Sequence, residues 1–253
     1  MRPAIGIPVA LGTETLGFLG PGKRPQAGGE IRTVRLPCGV DLMAVRSGVG
    51  VQNARSASDR LVGEGVGALL SVGVAGGLQT GSKAGDLIIG DRIIGQGGEG
   101  ARAVWAPDGP SARFAALAFS EDHIRARMGT ILTVHEPVLE ARQKAALHKG
   151  TGAVAVDMES SAIAAAAADA GLSFFTLRAI SDPPQRTIVP ELAACLAATG
   201  QVNARVLLRS LFRRPLLALE LVRTGKDFAF ALSALKRAWG SLLRHGFPAL
   251  LGG

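Results

Sequence analysis

Three short segments place chemically useful residues at the ends of apolar runs. The first is Ala155-Val156-Asp157-Met158-Glu159-Ser160-Ser161-Ala162, a carboxylate pair where a strand hands over to a helix. Carboxylates in a first helical turn suit the helix dipole, so capping is one use for them. The other is that one carboxylate accepts hydrogen bonds from a diol such as a ribose. The second is Leu177-Arg178-Ala179-Ile180-Ser181-Asp182. Ligands of open α/β sheets bind beyond the carboxyl ends of strands, so Asp182 there is a candidate acid or base. It equally suits a cap for the turn at Pro183-Pro184. The third is Ser71-Val72-Gly73-Val74-Ala75-Gly76-Gly77-Leu78. Such small residues either let a ligand approach the backbone closely or make a glycine turn after a core strand.

The elements that must position these residues follow from the hydrophobic pattern. Strands are expected at 4–10, 31–36, 41–46, 68–74, 86–94, 129–134, 153–156 and 172–180, several as continuous apolar runs of the kind covered on both faces. Helices are expected at 51–65, 137–148 and 157–170, with Gly171 as the stop of the last. The alternation predicts an α/β fold with a mixed, mostly parallel central sheet flanked by helices. The segment MRPAIGIPVALGTETLG is broken by Pro3, Gly6, Pro8 and Gly12, so it reads as a first buried strand and a loop rather than a targeting helix. The uncharged run 65–82 is laced with Gly, Ser, Gln and Thr and reads as strand and turn, not as a membrane span.

From Glu191 onward the strand signals cease. Phe228, Leu232, Leu235, Trp239 and Leu242 recur at helical spacing, and apolar patches at 207–212 and 216–222 flank Pro215. Two or three amphipathic helices are expected. The tail is also basic: residues 201–253 carry nine Lys/Arg and two Asp/Glu, whereas residues 1–200 carry nineteen and eighteen. The domain reading is therefore a catalytic body over 1–200 and a basic helical extension over 201–253. The extension's apolar faces either pack on the sheet or a partner subunit, or lie in a membrane interface with Lys/Arg at headgroup level.

Composition removes other classes. Of 253 residues, 47% are hydrophobic and 19% charged, with ample apolar material for a core, so intrinsic disorder is excluded. Tyr is absent and aromatics are 4%, which argues against a base-stacking platform, and the net +8 comes almost wholly from the tail, so no nucleic-acid partner is expected. Cys38 and Cys195 make neither a disulfide framework nor a zinc cluster. The four His show no ligand spacing, so no metal is expected, and the expected compartment is the cytoplasm.

Taken together, the three segments resemble the purine and uridine phosphorylase superfamily, particularly its methylthioadenosine/adenosylhomocysteine nucleosidase branch. The shared motifs are a GSAGG-like turn (Gly73-Val74-Ala75-Gly76-Gly77), a V-E-M-E junction (Val156-Asp157-Met158-Glu159) and an R-A-I-S-D strand end (Arg178 to Asp182), in the same order. Ser47-Gly48-Val49-Gly50-Val51-Gln52-Asn53-Ala54 also resembles the S-G-I-G-x-x-N-A turn and helix. The resemblance covers roughly residues 1 to 205. The wording AVDMES and the basic tail are most similar to the hopanoid-associated phosphorylases, which act on adenosylhopane. The fold implied is the three-layer nucleoside phosphorylase fold.

The resemblance implies that Asp182 protonates the leaving purine at N7, which a low-dielectric pocket allows. It implies that Glu159 binds the ribose hydroxyls with Met158 against the sugar, and that Glu14, the last position of an A-M-E-E-E-like turn, activates water. This matches the division of labour of inverting glycoside hydrolysis. Asp157, Ser181, Val74, Ala75 and Gly76 belong to the motifs that line the substrate, and Pro137 and Val138 to a base-pocket loop that aligns loosely. Two features of the phosphate-using relatives are missing: Ser71 stands where they place an Arg, and their G-D-P-x-R loop is absent. Hydrolysis is therefore favoured. Phosphate stays open as a co-substrate through Arg46, Arg24 or Lys23, and no other cofactor is implied. The implied function is release of adenine from a lipid-linked purine nucleoside, adenosylhopane, with the basic tail at the inner face of the cytoplasmic membrane. A soluble methylthioadenosine, adenosylhomocysteine or futalosine-type nucleoside is the alternative. By analogy with the family a homodimer is expected.

Overall fold

The computed structural model describes residues 4–10, 29–36, 39–96, 102–107, 115, 119–188 and 217–245. Within them lie nine strands and four helices. The strands are β1 Ala4–Val9, β2 Arg32–Arg35, β3 Asp41–Arg46, β4 Ala68–Gly77, β5 Leu87–Gln96, β6 Arg102–Trp105, β7 Ala126–Thr133, β8 Ala155–Asp157 and β9 Ser173–Asp182. The helices are α1 Val51–Gly63, α2 Ala141–Thr151, α3 Ser160–Asp169 and α4 Leu217–His245.

All nine strands join one mixed sheet. Parallel pairs link β1 to β3 and β4, β4 to β9, β5 to β7, and β7 to β8. Antiparallel pairs link β2 to β3, β4 to β8, β5 to β6, and β5 to β9. The path β4–β9–β5–β7–β8 returns to β4, so these five strands close into a small ring. Strand β8 closes it with only two residue pairs, Gly76–Val156 and Gly77–Ala155. That short contact draws the ends of β4, β8 and β9 together.

The sheet is covered on both faces, which gives the expected three layers. On one face α1 buries Ala54, Ala57 and Leu61 against α3, whose Ala162, Ala164, Ala166 and Ala167 permit close approach. On the other, α4 buries Ala231, Ala234, Leu235, Ala238, Trp239 and Leu242 against Ile5, Ile7, Phe175 and Leu177. The apolar stripe read from the tail is thus largely spent on the sheet, while Arg223, Lys226, Lys236 and Arg237 stay exposed. The apolar patch at 207–212 and Pro215 lie outside the described residues. Among those described, no helix is long and apolar enough to cross a membrane.

Several boundaries differ from the expectation: the helix expected at 137–148 runs from Ala141 to Thr151, and the strand expected at 129–134 starts at Ala126. The glycine run 73–77 is not a turn: β4 continues through Gly77 because β9 and β8 supply hydrogen-bonding partners there. Strand β6, unforeseen in the sequence, is a four-residue edge strand paired only with β5, too short to carry a pattern of its own.

Candidate active site

A cavity of about 220 Å³ opens where β4, β8 and β9 end. Val74, Ala75, Gly76, Met158, Glu159, Ser181 and Asp182 all line it, as do Pro137 and Val138 from the segment before α2. Its walls are mainly apolar, with Ala10, Val49, Val134, Val156 and Ile188 among them. Helix α4 contributes Thr224 and Phe228. Glu14, the expected water-activating residue, lies outside the described residues, as do Lys23 and Arg24.

Asp182 closes β9 and is 7% exposed. Its Oδ1 accepts a hydrogen bond from Ser181 Oγ at 2.7 Å, and its Oδ2 accepts one from Lys144 Nζ. Lys144 is fully buried, and its ammonium also donates to the carbonyls of Pro183 at 3.2 Å and Arg186 at 3.0 Å. The segment after β9 therefore folds over α2, and Ile188 N–H donates to the carbonyl of Leu139, just before that helix, at 2.8 Å. Gly76 explains why glycine is needed opposite the acid. A Cβ there would sit 3.3 Å from Asp182 Oδ2 and 3.2 Å from Val156 Cγ1. Its φ is not positive, so the requirement is space and not backbone conformation.

Glu159 occupies the cap position of α3, yet its side chain makes no capping hydrogen bond. Instead its Oε1 accepts from Gly50 N–H at 3.0 Å. Gly50 has φ +103°, a conformation disfavoured for other residues, and this aims its amide at the carboxylate. The Ser47–Ala54 turn thus positions Glu159 from the far side of the cavity. Its Oε2 accepts from Met158 N–H at 3.4 Å, and a carboxylate held by neutral amides keeps acceptor lone pairs that can still receive hydroxyl donors.

Asp157 faces mostly inward, although it too borders the cavity. Its Oδ2 lies 2.7 Å from Arg178 Nη2, and its Oδ1 accepts from Thr133 Oγ1 at 2.7 Å and from Ser160 N–H at 3.3 Å. Arg178 also donates to Ser71 Oγ at 2.7 Å and Ser160 Oγ at 3.0 Å. Capping of α3 therefore falls to Asp157, and the network ties β4, β7, β8 and β9 together under the cavity floor. Arg178 is the only basic side chain lining the cavity among the described residues, and its guanidinium is engaged by this network. Among the described residues no group of His, Cys, Asp and Glu is placed to hold a metal.

Sequence reasoning missed Lys144, Gly50, Thr224 and Phe228 as site residues. Lys144 had a legible signal. It shares the inward face of α2 with Ala141, Leu147 and His148 at helical spacing, a place where a charge needs a partner. Thr224 and Phe228 carried none, because which part of α4 meets the cavity depends on docking.

The fold agrees with the comparisons to known proteins. A family model described as "Phosphorylase superfamily" matches residues 7–211. No curated relative matches at the level of sequence. Among solved structures, the 5′-methylthioadenosine/S-adenosylhomocysteine nucleosidase of Helicobacter pylori is similar, with 18% identity and TM-score 0.72 over 97% of this chain and 98% of that one. The S-adenosylhomocysteine nucleosidase of Streptococcus pyogenes has 21% identity and TM-score 0.70, over 96% of each chain. The futalosine hydrolase of Helicobacter pylori has 18% identity and TM-score 0.68, also over 96% of each chain.

Proposed function

The chain belongs to the phosphorylase superfamily, and from that premise we propose that it cleaves the N-glycosidic bond of a purine nucleoside, releasing adenine, with water as nucleophile. The observation that carries this reading is the convergence of Asp182, Ser181, Met158 and Glu159 on one apolar-walled cavity at the ends of β8 and β9. Asp182 gives a proton to the departing purine as the C1′–N9 electron pair moves onto the base. Glu159 accepts the ribose hydroxyls, and its charge favours the oxocarbenium-like transition state more than the neutral ground state. Glu14 is proposed as the base that takes a proton from the attacking water. Water is favoured over phosphate because Arg178, the one basic side chain lining the cavity among the described residues, is buried with its charge already paired to Asp157. An anion needs charged or multiple donors.

The substrate is proposed to be a 5′-substituted adenosine of the kind named in the similar structures, methylthioadenosine or adenosylhomocysteine, with futalosine as a related purine nucleoside. The second reading is adenosylhopane, favoured by Phe228, which carries the apolar lining onto the basic helix α4. A peripheral membrane contact through the basic rim belongs to this second reading, and a homodimer is proposed for either. The deciding experiment measures adenine release from each nucleoside, with adenosylhopane in detergent, with and without phosphate, and records product mass. Release without phosphate, giving a free ribose hydroxyl, supports hydrolysis. Release only with phosphate, giving a ribose phosphate, overturns it. No release from any nucleoside overturns the reading as a whole.

A further inference from the structure

Two buried ion pairs flank the cavity, and they differ in kind. Arg178 with Asp157 is a fixed charge pair, since a guanidinium does not release its proton in proteins. Lys144 with Asp182 joins two groups that can exchange one. We infer that Lys144 is the proton-sharing partner of Asp182, holding the acid in place and exchanging with it the proton that the departing base receives. The inference rests on the reading that Asp182 protonates the purine.

The hydrogen-bond inventory carries it. An ammonium has three donors, and Lys144 Nζ has three acceptors: Asp182 Oδ2, Pro183 O and Arg186 O. Moving one proton onto Asp182 leaves an amine with two N–H groups, still on the two carbonyls, and a lone pair facing the new O–H. No partner is lost in either state. Ser181 is equally tolerant. Its one hydroxyl hydrogen has two acceptors within reach, Asp182 Oδ1 at 2.7 Å and Ala75 O at 3.2 Å. It donates to Oδ1, which keeps acceptor lone pairs in the carboxylate and in the acid protonated on Oδ2, or turns to Ala75. Both proton states of the pair are therefore fully hydrogen-bonded without movement of the backbone.

The proton count closes. Lys144-ammonium with Asp182-carboxylate, and Lys144-amine with Asp182-acid, hold the same number of protons. In the reaction the acid gives its proton to N7 while the C1′–N9 bond breaks. Water adds hydroxide to C1′ and releases a proton to solvent by way of the general base. The pair, left as amine and carboxylate, takes one proton back from solvent as adenine leaves.

A purely structural lysine would support every substrate alike, so the test compares two leaving groups. Lys144→Met and Lys144→Gln are assayed on methylthioadenosine, whose adenine needs a proton, and on 4-nitrophenyl β-D-riboside, whose phenolate leaves without one. The expected result is a kcat loss of about 100-fold or more on the nucleoside, the range of general acid catalysis, with KM little changed and only a few-fold loss on the nitrophenyl riboside. Asp182→Asn should show the same split, and Lys144→Met combined with it should lose nothing further. In Lys144→Ala, added ethylamine should restore adenine release. Lys144→Gln is one bond shorter but keeps two N–H donors, and serves where the methionine variant does not fold. Equal losses on both substrates, or no loss on the nucleoside, overturn the inference. Wild-type enzyme that frees adenine from no nucleoside overturns the underlying reading instead.

Discussion

Asp182 works as a leaving-group acid only if the space before it stays open, and Gly76 provides that space. Gly76→Ala puts a methyl 3.3 Å from Asp182 Oδ2. Roughly a tenfold fall in kcat is expected, about 1.4 kcal/mol at the transition state, with little change in melting temperature; an unchanged kcat would mean that the base does not approach from this side. Glu159 is tested by Glu159→Gln, which keeps an oxygen for Gly50 N–H but removes the charge. The kcat should fall about 100-fold, as for other preorganised electrostatic contacts, and a loss confined to KM would reduce Glu159 to a binding role. Both residues stand in legible motifs, which is why the sequence pointed to them. Lys144 did not stand out, because its meaning depends on two carbonyls and a carboxylate brought from 38 to 42 residues away.

Helix α4 is the element whose role the pattern alone left open. An amphipathic basic helix reads the same whether its apolar face meets a sheet or a lipid surface. Here Trp239, 2% exposed, sits in the main core cluster. Trp239→Ala should destabilise the protein by about 3–5 kcal/mol, measured by denaturant unfolding. A negligible change would mean that α4 leaves the sheet in solution. Because α4 completes the core, a membrane role is tested by charge rather than by truncation. Reversing Lys226, Lys236 and Arg237, all exposed, should weaken binding to anionic liposomes, since each nearby basic residue contributes about 1 kcal/mol. Unchanged binding would remove the basic rim from any lipid contact. The helix is also tied to the site, since Arg186 pairs with Asp227 of α4 at 2.8 Å while its carbonyl holds Lys144.

At the scale of the whole molecule, the ring of β4, β9, β5, β7 and β8 holds the cavity, and the Asp157–Arg178 network holds the ring beneath it. Both charges are almost fully buried, at 5% and 3% exposure. Removing one partner leaves the other uncompensated in a low dielectric. Arg178→Met should therefore cost about 3–5 kcal/mol and lower activity chiefly through the loss of folded protein. A stable but inactive variant would instead give Arg178 a direct part in catalysis.

What the sequence determined by itself was local: apolar runs that could only be buried strands, carboxylates at strand ends, and small residues where a ligand must approach. These are legible because strand burial and backbone clearance depend on residue type and near neighbours. The tertiary structure decided which neighbours those residues meet. It turned the glycine run from a turn into strand, sent Asp157 beneath the cavity and Glu159 into it, buried the face of α4, and set Lys144 against Asp182. Each outcome rests on contacts between distant segments, where burial forces every charge to find a partner, and no spacing along the chain encodes which partner that is.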